Sequence, residues 1–163
     1  NSSWTHPANL SDNISLDGYE CYYPEVTMDN NGNAIIAWYQ SDGSNTQVFK
    51  SEYRDSSWTH PANLNDNISP DGQNAYVPHM AMADNGDAII VWFQYDSSSC
   101  KQVFKSEYRS SSWTHPSNVS DSISLDGQET YYSRVAIDDY GNTLIAWYQS
   151  DSSNDQIFIS ECR

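Results

Sequence analysis

The sequence predicts an all-β protein built of β-propeller blades, because the chain repeats itself and each copy carries short apolar segments at regular spacing. The hexapeptide Ser-Ser-Trp-Thr-His-Pro occurs three times, at residues 2–7, 56–61 and 111–116. These copies start 54 and 55 residues apart, which is enough chain for four short strands. We therefore expect three four-stranded repeats, each of which forms one blade.

The repeat boundaries follow from aligning the sequence with itself. We expect a single domain over residues 1–163, divided into repeats 1–54, 55–109 and 110–163. The second repeat is one residue longer than the others, and the extra residue lies within residues 95–101. All 163 residues are thus assigned to repeats.

The four strands of the first repeat are predicted at residues 24–29, 33–40, 47–53 and 58–61. The second of these segments is apolar almost throughout, which is typical of a strand covered on both faces. The turn before it contains Gly32, where a positive φ is expected. No segment has the periodicity of a helix. Stacked sheets with buried second strands are what a propeller requires.

Two columns of tryptophan and one of histidine recur at the repeat spacing. They are Trp38, Trp92 and Trp147, then Trp4, Trp58 and Trp113, and finally His6, His60 and His115. We expect all six indoles to pack in the core, since half of them lie within apolar strands. The histidines each precede a proline and lack neighbouring ligand residues, so a structural role in the turn is favoured over metal binding.

The turn between the third and fourth strands carries a further pattern, in which Ser51, Ser57 and Trp58 are matched by Ser106, Ser112 and Trp113. This pattern resembles the Asp-box repeats of sialidase-like β-propellers, whose motif is Ser-x-Asp-x-Gly-x-Thr-Trp. Here Tyr53 and Tyr108 occupy the Asp position, and Asp55 and Ser110 occupy the Gly position. The resemblance covers every repeat and implies a propeller fold.

The same resemblance invites a search for the catalytic groups of a sialidase. Such an enzyme needs three converging arginines, a Tyr-Glu pair and an acid-base Asp. Three of the four arginines, Arg54, Arg109 and Arg163, are instead repeat equivalents at the turn, which leaves Arg134. On this ground the chain is predicted not to be an enzyme.

Three repeats are fewer than the four blades that a propeller ring generally needs. The segment 2–7 supplies a fourth strand, whereas the segment 156–162 is a third strand without one, so each end matches the other. We therefore expect a homodimer that closes a six-bladed ring, with a nine-bladed homotrimer as the second possibility. A β-trefoil or β-prism monomer, also built from three repeats, is the alternative fold.

The charge restricts the partners. With 7 basic and 22 acidic residues the net charge is −15, which excludes nucleic acid and anionic membranes as natural partners. No apolar run is long enough for membrane insertion. The sequence predicts no cofactor and no metal site, and the three cysteines offer no disulfide framework. An extracellular or cell-surface location is favoured.

Candidate ligand-binding residues lie where the first strand of each repeat begins. Loops that combine Asp, Gly and Tyr precede this strand and suit hydrogen bonds to hydroxyls together with ring stacking on sugars. One column at the strand differs between otherwise similar copies. The candidates are Asp17, Tyr22, Asp71, Tyr76, Asp126, Tyr131, Glu25, His79 and Arg134. The loops at Asp42, Asp96 and Asp151 are further candidates.

The first hypothesis for function is a non-catalytic recognition module that binds glycans in a lectin-like manner, with avidity from symmetric presentation. The second is a structural scaffold without a ligand, which is an amplified repeat fragment or an engineered symmetric assembly. A glycoside hydrolase ranks third.

Overall fold

The computed structural model describes residues 4–163 and folds them into three antiparallel sheets, with no helix that could span a membrane in this range. The first sheet contains β1 (Cys21–Met28), β2 (Ala34–Ser41), β3 (Thr46–Arg54) and β4 (Ser57–Thr59). The second contains β5 (Ala75–Met82), β6 (Ala88–Tyr95), β7 (Lys101–Arg109) and β8 (Ser112–Thr114). The third contains β9 (Thr130–Ile137), β10 (Thr143–Ser150) and β11 (Asp155–Cys162).

The all-β, propeller-like prediction is confirmed. Within each sheet every strand pairs with its neighbours in the sequence, as in a propeller blade. The fourth strand predicted at residues 2–7 lies partly outside the described residues, and residues 4–7 carry no strand.

The three sheets stack face to face. One face of the first sheet, with Ile35 and Val48, packs against the second sheet at Ile90 and Trp92. The opposite face of the second sheet then packs against the third in the same manner. The middle sheet is therefore covered on both sides, which explains why β6 is apolar and buried along most of its length. A β-prism would leave each sheet one covered face, and a trefoil would pair strands from different repeats.

Every first strand has a β-bulge at the same place. The pairing of β1 with β2 shifts register between Tyr22 and Glu25, and β5 and β9 shift at the equivalent positions. The residue inside each bulge, Tyr23, Val77 or Tyr132, has a φ of 53°, 52° or 53°. Such values are strained for residues with a side chain, and for valine above all. The bulge lets two successive side chains approach the same face, which a regular strand forbids.

The prediction for the tryptophans holds for one column only. Trp38, Trp92 and Trp147 are buried, whereas Trp4 is 86% exposed and Trp58 is 44% exposed. Trp58 lies in the short fourth strand at the edge of the first sheet, and Trp4 lies in no strand. Trp113, from the same column, is partly buried and packs against the core between the first two sheets.

The histidines that directly follow β4 and β8 have structural contacts. His115 stacks on Trp113, and its Nδ1 lies 2.8 Å from Ser106 Oγ. His60 repeats both contacts with Trp58 and Ser51. Partial burial of the imidazole, helped by the ammonium of Lys50, lowers the pKa of His115 to about 4. A neutral ring stacked on an indole fits the predicted structural role.

The turn of the proposed Asp-box resemblance is a two-residue hairpin loop. Arg54 pairs with Ser57, so that only Asp55 and Ser56 lie outside the ladder. Their φ angles are 49° and 64°, which is the pattern of a type I′ turn. This geometry does not confirm the Asp-box assignment, which stays a prediction.

Candidate functional site

A cleft of about 360 Å³ lies where the bulged ends of the first strands meet. Six of its lining side chains are aromatic, and a lysine and a histidine contribute the charged or polar groups. The lining residues are Tyr23, Tyr39, Tyr76, Val77, His79, Phe93, Lys101, Tyr131 and Tyr132. We call this site the tyrosine cleft.

One wall of the tyrosine cleft is organised around Tyr39 of β2. The ring of Tyr23 stacks on Tyr39 with 5.7 Å between centroids, and the ring of Tyr76 meets it edge-on at 5.4 Å. Tyr22 packs on the same ring at 5.5 Å, because the bulge brings both Tyr22 and Tyr23 to it. Burial raises the pKa of the Tyr39 phenol, which therefore stays protonated and can donate a hydrogen bond.

The opposite wall repeats this arrangement in the third sheet. Tyr131 and Tyr132 stack on Tyr148, with 5.2 and 5.5 Å between ring centroids. Tyr132 is 64% exposed and Tyr23 is 61% exposed, so both walls present a ring face to solvent. Exposed faces of rigid tyrosines are suited to stacking on a ligand.

A single lysine lies in the tyrosine cleft. The Nζ atom of Lys101 is 4.9 Å from the centroid of the Tyr131 ring and 3.5 Å from the Glu129 carboxylate. Burial alone would lower the pKa of Lys101, but Tyr95, Glu129 and Tyr131 outweigh this effect and raise it. The ammonium is thus charged at neutral pH, and Glu129 balances its charge.

Three side chains, one from each sheet, form a hydrogen-bonded row beside the tyrosine cleft. His79 Nδ1 lies 3.1 Å from Glu25 Oε1, and Arg134 Nη1 lies 2.7 Å from His79 Nε2. Because the guanidinium can only donate, Nε2 accepts and Nδ1 carries the proton towards Glu25. Burial and the charge of Arg134 lower the pKa of His79, against the opposing effect of Glu25. The row therefore consists of the Glu25 carboxylate, the neutral imidazole of His79 and the Arg134 guanidinium, in that order.

The structure brings together only some of the predicted site residues. Tyr76, Tyr131 and His79 line the tyrosine cleft, and Tyr22 packs behind it on Tyr39. Glu25 and Arg134 flank the cleft as the ends of the row.

The predicted aspartates lie elsewhere. Asp17, Asp71 and Asp126 are exposed and do not line the tyrosine cleft. Asn13 and Asn67 each donate a side-chain hydrogen bond of 3.1 Å, to Asp17 and Asp71 respectively. These contacts stabilise the turns. A ligand role for the aspartates stays a prediction, and in residues 4–163 no group of three metal-ligating side chains is found.

Six residues that line the tyrosine cleft are not among the predicted site residues, namely Tyr23, Tyr39, Val77, Phe93, Lys101 and Tyr132. Tyr39 and Phe93 follow the buried tryptophans in the apolar second strand, where the pattern indicates core positions. Lys101 could be found from the sequence, because the repeats differ at its position. It ends the segment in which the second repeat is one residue longer, and the other two repeats have Thr46 and Asp155 at the equivalent position.

No family model matches the chain, and no curated protein matches it in sequence. The solved structures that share its fold include two enzymes. An endo-arabinase from Bacteroides thetaiotaomicron superposes with a TM-score of 0.53 at 12% identity, over 94% of this chain and 60% of the enzyme. The polysaccharide lyase Uly1 superposes with a TM-score of 0.52 at 13% identity, over 85% of this chain and 37% of the lyase. The chain thus spans less than two thirds of either enzyme.

These structures correct one prediction. The prediction that the chain is not an enzyme is contradicted, because the endo-arabinase and the polysaccharide lyase, whose fold it shares, are enzymes. At such low identity the likeness shows the fold alone. The chain has a propeller-like fold that it shares with two carbohydrate-active enzymes.

Proposed function

We propose that this protein binds a neutral oligosaccharide in the tyrosine cleft. The observation that carries the proposal is the pair of tyrosine walls, in which Tyr23 and Tyr132 stack on a second tyrosine and remain mostly exposed to solvent. Sugar rings present an apolar C–H face and a periphery of hydroxyls, so they suit a site that offers both stacking and hydrogen bonds.

The size and the construction of the tyrosine cleft support this function. A volume of about 360 Å³ is within the range of small-molecule sites, which is roughly 300 to 1,000 Å³. The strained φ of Tyr23 and Tyr132 is held at a ligand-sized cleft, where backbone strain is commonly found. The fold likeness to an endo-arabinase and a polysaccharide lyase adds support for a carbohydrate as the ligand.

Charge selects a neutral ligand over an acidic one. The chain has a net charge of −15, and the one lysine of the cleft is balanced by Glu129. An anionic polysaccharide would be repelled by the protein as a whole and would find no unpaired cation among the cleft residues.

The proposal is tested by calorimetric titration with neutral arabino- and cello-oligosaccharides and with acidic alginate oligosaccharides. We expect binding of a neutral oligosaccharide, weakened about tenfold by Tyr23→Ala or Tyr132→Ala, because these two rings present the exposed faces. A tenfold loss corresponds to about 1.4 kcal/mol for a lost stacking ring. Tyr140→Ala is the matched control, because Tyr140 is 92% exposed and lies outside the cleft.

Two results would contradict the proposal. Absence of heat with every oligosaccharide would leave the ligand-free scaffold as the better hypothesis. Equal loss of binding in the Tyr132 and Tyr140 variants would place the ligand outside the tyrosine cleft. Since the endo-arabinase and the polysaccharide lyase are enzymes, the titrated solutions are also analysed by chromatography for shortened sugars.

A further inference from the structure

One face of the third sheet is exposed, although the equivalent faces of the first and second sheets are each covered by the sheet that follows. Val48 of the first sheet and Val103 of the second are fully buried by the sheet that follows them. The equivalent residue of the third sheet, Ile157, is 75% exposed. Leu144, in place of the buried Ile35 and Ile89, is 41% exposed. We call this the front face of the third sheet.

The first sheet is uncovered on the opposite side. Met80 and Met82 of the second sheet pack on the core that this sheet forms with the first. Val135 and Ile137 of the third sheet likewise pack on the core that it forms with the second. Their equivalents in the first sheet are Val26 and Met28, which are 67% and 64% exposed. We call this the back face of the first sheet. The front and back faces are the two halves of an interface that occurs twice inside the chain.

A hydrogen bond joins the first and second sheets, and the residues equivalent to its donor and its acceptor lie on the same two exposed faces. Trp113 Nε1 of the second sheet donates to Glu52 Oε2 of the first, at 3.0 Å. The equivalent tryptophan of the first sheet is Trp58, which is 44% exposed, and the equivalent carboxylate of the third is Glu161, which contacts only Arg163 among the described residues. A front face that met a back face would restore this hydrogen bond.

The charges of the two faces are complementary. The row Glu25, His79, Arg134 begins with a carboxylate on the first sheet and ends with a guanidinium on the third. If the third sheet were followed by another first sheet, Arg134 would lie beside a new Glu25. The row would then continue without a clash of like charges.

We propose that a second copy of this chain docks its back face on the front face of the third sheet, and that two copies close a ring of six sheets. Continuity with the two internal interfaces determines the orientation, and the contact is heterologous. Two copies suffice because propellers typically have four to eight blades, whereas three copies would give nine.

The test begins with the mass in solution, measured by light scattering coupled to gel filtration. The unmodified chain should have twice the 18.5 kDa of one chain. Ile157→Asp and Val26→Lys should each give the mass of a single chain, because each charge lies in one half of the interface. Both residues are exposed in the single chain, so the fold should persist, as circular dichroism would show. Ser97→Asp is the matched control, since Ser97 is exposed in a loop of the middle sheet.

Mixing the Ile157→Asp and Val26→Lys variants distinguishes this contact from other dimers. In a mixed pair one junction places the introduced carboxylate opposite the introduced ammonium, and the other junction has the unmodified residues, so the double mass should return. A single-chain mass of the unmodified protein would overturn the proposal. So would a Val26→Lys variant that keeps the double mass, because the front faces would then pair with each other. A triple mass would overturn closure by two copies.

Discussion

Each buried indole is paired with a glutamine two residues further along its strand. Trp92 Nε1 donates to Gln94 Oε1 at 3.2 Å, and Trp38 and Trp147 repeat the contact with Gln40 and Gln149. The glutamine amide in turn donates to a loop carbonyl, which for Gln94 is Gln73 O at 3.2 Å. That loop leads into Tyr76, so the buried pair also positions one wall of the tyrosine cleft.

Replacing Gln94 by leucine should destabilise the fold by about 2 kcal/mol, because the indole N–H and the carbonyl of Gln73 would lose their partner in a buried place. Unfolding in urea measures the change. Ser97→Leu is the control, since Ser97 is exposed in a loop of the middle sheet and a change within about 0.5 kcal/mol is expected there. Similar losses in both variants would show that the buried hydrogen bonds are not the cause.

Single residues of the site can be predicted only where copies differ or where a loop composition stands out. Tyr76, Tyr131 and His79 are found in this way. Tyr39 is not, because its place in an apolar strand is indistinguishable from a core position in the sequence. The bulge that turns Tyr23 towards it requires a positive φ at a tyrosine, for which the residue type gives no signal.

At the scale of elements, the four strands predicted for the first repeat agree with β1 to β4 within three residues, because apolar runs and turn residues coincide there, whereas the strand predicted at residues 2–7 is not found at residues 4–7. The buried face of β6 follows from its continuous apolar run. The hairpin between the third and fourth strands cannot be derived in detail. Its two loop residues, Ser110 and Ser111, adopt positive φ although neither is glycine or asparagine.

This hairpin leads to a prediction on stability. Ser111→Gly should stabilise the fold by about 1 kcal/mol, because Ser111 has a φ of 64° and glycine adopts this conformation without strain. The midpoint of urea unfolding reports the gain. The control is Ser97→Gly, for which we expect no gain in stability, because Ser97 lies in an exposed loop and does not have a positive φ. A loss of stability in Ser111→Gly would mean that backbone entropy outweighs the strain.

At the scale of the whole molecule, the 15 excess negative charges repel one another. We expect the unfolding temperature to rise as NaCl increases from about 0.01 M to about 1 M, over which the screening length falls from about 30 Å to about 3 Å. Asp126 and Asp155 are exposed, and replacing both by asparagine should reduce the rise of the unfolding temperature with NaCl, because two negative charges are removed. An unfolding temperature that falls with added NaCl would show that attractive ion pairs dominate.

Near-identical repeats carry a risk of wrong pairing between copies, since a strand of one repeat can join the sheet of another. The sheets of this chain limit the risk through their connectivity, because each strand pairs only with strands next to it in the sequence. Such pairings have short loops and low contact order, and they form quickly. During synthesis one sheet can complete its ladder before the next repeat has left the ribosome. The order in which the chain is made thus protects the sheets from exchanging strands with their own copies.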